Sequence, residues 1–334
     1  MSKIISTFDE IKEDTYFKDS LNSDYYANSK NLTMDEKGRL NGLSKNFKVI
    51  KNSMDDWALS QIFQKNKMPA AYFKNLLDNG QIDMVRNHLN HHMENRMDKY
   101  LIRMKKNEKK NNKEVRAVLS EEYSTFDNRD LIEVIEEPIR NLNYEIDSYT
   151  NEEGIFMTRL VMDNMSENIS TKKLDDVLKV GLLIMNSEIG RSGIRIFPMA
   201  YRVVCSNGLV AWENMGDNNR FYKKHRWIDK EDTRKWAEVA ISEAVKEAEF
   251  SINKMKEAKF MELESPQEYI DKRLPRLNKS IKEKIKETWE AEWSMTKESN
   301  SMYSVINSMT SVARDYNPEQ RLEIEKEAGK LIAA

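Results

Sequence analysis

The apolar positions of this chain change their period twice. Residues 1–45 hold no sustained period, and with turn signals at Lys37-Gly38 and Asn41-Gly42 they read as a loosely packed lead-in before a short strand at 46–50. Beyond Ser53 the spacing becomes helical. Ser53 is placed to accept from a first turn, and Asp55 and Asp56 favour its positive end. A second helix start follows Met68-Pro69 and puts Tyr72, Phe73, Leu76 and Leu77 at helical spacing. From 83 to 106, Val85, Leu89, Met93, Met97, Tyr100 and Met104 recur every three or four residues, which predicts one amphipathic helix.

The middle of the chain then shortens its period. Residues 114–123 read as a strand, and 128–142 as a helix opened by Asp127 or Asn128. Runs at 154–162, 177–189 and 193–205 read as strands, the last two joined as a hairpin by a turn that Gly190 and Gly193 bracket. Pro198 lacks an amide donor and marks an edge or a bulge, while Asn207-Gly208 turns the chain again. From Asp229 on the pattern is helical: 231–263, 277–295, 301–316 and a last helix opened by Pro318. The expected architecture is α+β: a mostly helical region 1–110, an antiparallel sheet core 111–230, and a helical region 231–334 packed on it.

Composition adds limits. Charged residues make up 33% of the 334 and the net charge is −2, so only a local patch could attract a polyanion. One cysteine, Cys205, excludes an internal disulfide framework and is read as a buried strand residue. With no apolar leader pattern and no run long enough to span a bilayer, a cytoplasmic protein is expected, free of membrane. Phosphate loops, dinucleotide fingerprints, zinc-protease and nucleophile-elbow motifs are absent from the sequence. His88 and His92 stand four apart, yet nothing singles out a third ligand, and they read as a polar helix face. No metal, cofactor or catalytic residue is assigned.

Two basic stretches remain. Residues 96–116 carry nine Lys/Arg against three acids and read as a solvated helix end. Residues 219–227 interleave Arg220, Lys223, Lys224 and Arg226 with Phe221, Tyr222, His225 and Trp227 and contain no acid. Cations hold phosphates and exposed rings stack on unpaired bases, so this stretch, joined by Arg191, Arg195 and Arg202 of the hairpin, is the candidate nucleic-acid surface. Whether Arg195 and Arg202 share a face depends on what Pro198 does to the register.

Three segments carry a resemblance: "VRAVLSEEYSTFDNRDLIEVI", "GLLIMNSEIGRSGIRIFPMAYRVVCSNGLV" and "KKHR". They are similar to the phage- and plasmid-encoded domain-of-unknown-function family 932, over roughly 112–316. Its first element falls on Arg116, Ala117, Leu119, Ser120, Tyr123, Asp127 and Asn128. The central one falls on Asn186, Ser187, Glu188, Gly190, Arg202, Val204, Cys205, Ser206, Asn207 and Gly208. His225-Arg226 reverses the order of the family's basic element. The resemblance implies a mobile-element setting beside DNA metabolism and carries over no catalytic residues. In this chain Asn186, Ser187 and Glu188 are expected to bind the hairpin backbone, with Gly190, Gly193, Asn207 and Gly208 shaping its turns.

The leading expectation is thus a phage single-stranded-DNA-binding protein of the annealing type, assembled into oligomers through its C-terminal helices. The strand-then-helix order is similar to the core of RecT-like and Red-beta-like annealing proteins. The competing expectation is a protein-binding inhibitor of a host defence or replication enzyme, which nineteen methionines would suit as adaptable contacts.

Overall fold

A computed structural model describes residues 6–46, 48–107, 112–152, 154–169, 176–203, 207–210, 220–296 and 300–333. The fold is α+β, with a helical C-terminal region. Its strands form two sheets. The first has the order β1 (Asn22–Asn28), β5 (Lys99–Asn107), β6 (Asn112–Ser120), β4 (Val49–Met54), β3 (Leu40–Leu43), β2 (Leu32–Met34), with β4 and β6 parallel. The second is an antiparallel meander of β7 (Tyr144–Glu152), β8 (Ile155–Asn168), β9 (Val177–Ser187), β10 (Ile194–Arg202) and β11 (Asn207–Val210). The two-residue β12 (Tyr222–Lys223) pairs with the start of β10.

The first sheet corrects three expectations. Residues 8–20 form α1 (Phe8–Ser20), whose Thr7 and Glu10 make a reciprocal capping box, and the lead-in continues as β1, β2 and β3. Helix α2 (Asp56–Lys65) is capped by Asp55 rather than Ser53, which lies in β4. The helix expected to run to 106 stops as α4 (Ile82–Glu94), and Tyr100 and Met104 belong to β5. Because β5 pairs with β6 along its length, a boundary at 110/111 divides one sheet between two regions. The helix after Pro69 is present as α3 (Ala70–Asp78).

In the second sheet alternation sorts the side chains. Phe156, Leu160, Leu182, Ile184, Ile194 and Ile196 enter the large core. There they meet α5 (Asn128–Arg140), α6 (Lys230–Ala258), α8 (Lys279–Thr296) and α9 (Met302–Ala313). Met157, Leu183, Met185 and Phe197 face the other way, onto Leu322 of α10 (Pro318–Ala333). On that face Arg159 Nη2 meets Glu325 Oε2 at 2.8 Å, both side chains buried, which pins α10 to the sheet. A short α7 (Pro266–Arg273) completes the helical layer.

β9 and β10 form the expected hairpin, in unbroken register from Arg195↔Met185 to Arg202↔Leu178. Pro198 therefore causes no bulge. Ile196, of the same parity, sends its N–H to Phe221 O, away from β9, so the missing donor of Pro198 falls outside the β9 ladder. It sits between the residues that pair with β12 and those that pair with β11. Gly190 has φ +77°, as its turn requires. Gly193 serves close approach, since a Cβ there would lie 2.4 Å from Lys223 O. Asn207 and Gly208 do not make a turn but pair with Arg202 and Tyr201 inside β11. Residues 204–206, with Cys205, lie outside the described residues.

Candidate nucleic-acid interface

Tertiary folding divides the expected basic-aromatic surface into an interior part and a surface part. Eight-residue continuity in an unbulged strand puts Arg195 and Arg202 on opposite faces. Arg202 is half-buried on the α8–α9 side, where its Nε donates to Asp176 at 2.7 Å and its Nη1 to Glu292 at 3.1 Å. It cannot reach a polynucleotide without breaking both pairs. Phe221 and His225 are interior. His225 stacks on Tyr123 with centroids 5.1 Å apart, and its Nε2 meets Asn186 Oδ1 at 2.7 Å. Asn186 accepts there, so Nε2 carries the proton. Burial drives the ring's pKa down to about 4.

The surface part is less open than the composition implied. Arg220 pairs with Glu243, and Arg226 with Glu122 at 3.0 Å. Lys223 lies in β12, its pKa lowered by burial. Lys224 and Trp227 are exposed, Trp227 at φ 55°.

Arg191 and Arg195 instead border a groove of about 560 Å³ between the hairpin, α10 and the start of α8. Arg276 and Lys326, which the linear reading missed, add two cations; Glu319 and Glu323 oppose them. Met185, Leu277 and Leu322 supply apolar lining. Arg195 lies over Tyr222, 5.0 Å from the ring centroid, and Arg191 over Trp57 at 4.9 Å. Arg191 reaches Glu319 only at 3.5 Å. The Nε atoms of both arginines are buried without a hydrogen-bond partner. Lys326 pairs with Glu323, while burial, with Arg195 nearby, lowers its pKa. No sequence period links 195 to 276 and 326, so only the chain's return over the sheet brings them together.

The central motif has a second destination. Ser187 binds the hairpin as expected, its Oγ accepting from Arg191 N at 3.1 Å. Asn186 and Glu188 do not. Asn186 Nδ2 donates to Phe126 O and Asn128 Oδ1, and Glu188 Oε1 accepts from Asn128 N, the first residue of α5. Glu188 Oε2 takes Arg116 Nη1 at 2.5 Å. From β5, Arg103 donates to Asp24, Asp127 and the Glu188 carbonyl with its side chain 1% exposed. The motif thus ties both sheets to the α5 N-terminus, where carboxylates are electrostatically favoured.

Asp19, Asp127 and Glu188 bring one oxygen each within 4.8 Å of one another. Arg103 and Arg116 hold two of these carboxylates, so their counter-charge is already protein. Asp19's pKa is raised by burial and by Asp127 and Glu188. At the far helix, His88 packs edge-on to Phe73.

Arg116, Tyr123, Asp127, Asn128, Asn186 and Glu188 all lie within residues 115–329, which match a family model described as "Domain of unknown function (DUF932)". The chain belongs to that family. No curated protein and no solved structure gives a significant match. Arg103 and Asp19 lie ahead of the matched segment, so partners of the DUF932 motif come from outside it. Among the described residues no helix is long and apolar enough to cross a membrane.

Proposed function

We propose that this DUF932 protein binds single-stranded DNA in the groove between the β9–β10 hairpin and α10. The observation that carries the reading is a groove lined by four cations against two carboxylates, two of its arginines also keeping an Nε donor without a partner. A buried N–H without an acceptor is costly, and a phosphate oxygen supplies one. Tyr222, beside Arg195, offers a ring to a base. Arg202, Phe221 and His225 drop out of the surface, Lys223, Lys224, Arg226 and Trp227 are peripheral to it, and Arg276 and Lys326 join it.

Fluorescence anisotropy with a labelled oligonucleotide tests this. Binding should weaken with salt, and Arg195→Gln or Arg276→Ala should each flatten the log–log salt slope by roughly 0.7, the value for one phosphate on a single strand. Lys224→Ala should change little. No binding at low salt, or groove variants that bind like the parent, would reject the reading.

A further inference from the structure

A second cavity, of about 120 Å³, lies where α1, both sheets and the end of β9 meet. Arg116 enters it from β6 and is 8% exposed. Its Nη1 is committed to Glu188, while Nε and Nη2 have no hydrogen-bond partner. Those two nitrogens form one edge of the guanidinium, the fork that matches two oxygens of a carboxylate or phosphate. Lys105, from β5, lines the same cavity without a hydrogen bond or ion pair among the described residues. Burial first, then Lys18 and Arg116, lower its pKa, with Glu188 and Glu152 opposing them.

Each carboxylate of the cavity already accepts a hydrogen bond, and among the described residues only Glu188 is also ion-paired. Glu188 accepts from Arg116 and Asn128 N, Asp55 from Ala58 N at 2.7 Å, and Glu114 from Ser53 at 3.4 Å. Glu188 balances the charge of Arg116, so what stays unmet is one edge of its guanidinium and, among the described residues, the Lys105 ammonium. An oxyanion accepts from such donors more strongly than water does, because hydrogen bonds between charged partners are the stronger ones. A pocket for a drug-sized molecule measures about 300–1,000 Å³, so this one has room for a small ion and not for a nucleoside.

We infer that the cavity between Arg116 and Lys105 is a binding site for a phosphate group. The group is either the free ion or the end of a phosphate monoester whose body stays outside. The site stands apart from the groove and does not depend on the DNA reading.

Isothermal titration of the full chain with inorganic phosphate, in a chloride background, tests it. A saturable one-to-one heat is expected at millimolar phosphate. Lys105→Gln should weaken it about tenfold, the effect of one charged hydrogen bond. Arg116→Lys should weaken it further by removing the fork. Lys105 makes no described ion pair, so its variant keeps the test valid if Arg116→Lys misfolds. Arg195→Gln, in the groove, should bind phosphate like the parent. Phenyl phosphate separates the two sources: competition by the ester marks a terminal phosphate, its failure a free ion. Absent heat, heat unchanged in Lys105→Gln, or heat lost in Arg195→Gln but kept in Lys105→Gln would each overturn the site.

Discussion

Arg103→Ala should lower the stability of the protein by about 3–5 kcal/mol, the range for removing one member of a buried ion pair. The side chain is 1% exposed and serves Asp24, Asp127 and the Glu188 carbonyl together. Burial by itself would lower its pKa; Asp127, Asp24 and Glu188 outweigh that and raise it. Alanine would leave the carboxylates facing one another beside Asp19, with no cation between Asp24 and Asp127. Urea unfolding followed by circular dichroism measures the loss. A change below about 1 kcal/mol, the level of an exposed pair, would show that Arg103 does not hold the two sheets together.

His225 should make stability fall with acid. Its ring is neutral in the fold, with a pKa depressed to about 4 by burial from an ordinary 6.5. The unfolded chain therefore binds the proton more readily. The contribution is fully present above pH 6.5 and is lost as pH falls towards 4, a total of roughly 3 kcal/mol. His225→Gln, whose amide can still donate to Asn186 Oδ1, should remove this part of the pH dependence. Unfolding midpoints of parent and variant across pH 7 to 4 give the difference directly. Parallel curves would mean that the ring is solvated or already charged.

Particular elements show where linear reading succeeds. The hairpin of β9 and β10 and the α5 start at Asp127 were legible, because strand alternation, glycine turns and capping act over a few residues. The error at β5 has a plain cause. Tyr100 and Met104 are four apart, and four is a multiple of the strand period as well as close to a helical turn, so both residues share one face either way. Met97, 84% exposed, lies between the end of α4 and the start of β5. The capping box at Thr7 and Glu10 is a local signal for α1, whereas only Ile11 and Thr15 of that helix are buried, too few for a clear period.

The candidate site divides along the same line. A basic-aromatic run at 219–227 and three hairpin arginines were visible as composition, yet composition carries no record of partners. Asp176, Glu243 and Glu122 neutralise Arg202, Arg220 and Arg226 from 26, 23 and 104 residues away.

By itself the sequence determined the α+β class and the central hairpin, which rest on short-range spacing, and its motifs carried the resemblance to the DUF932 family. Only the tertiary structure decided that Glu188 and Asn186 serve the α5 N-terminus, that Arg202 is ion-paired and His225 interior, and that Arg195 meets Arg276 and Lys326. The physical reason is that charge pairing and burial are set by distance in space. Chain return sets that distance, and no local pattern encodes it.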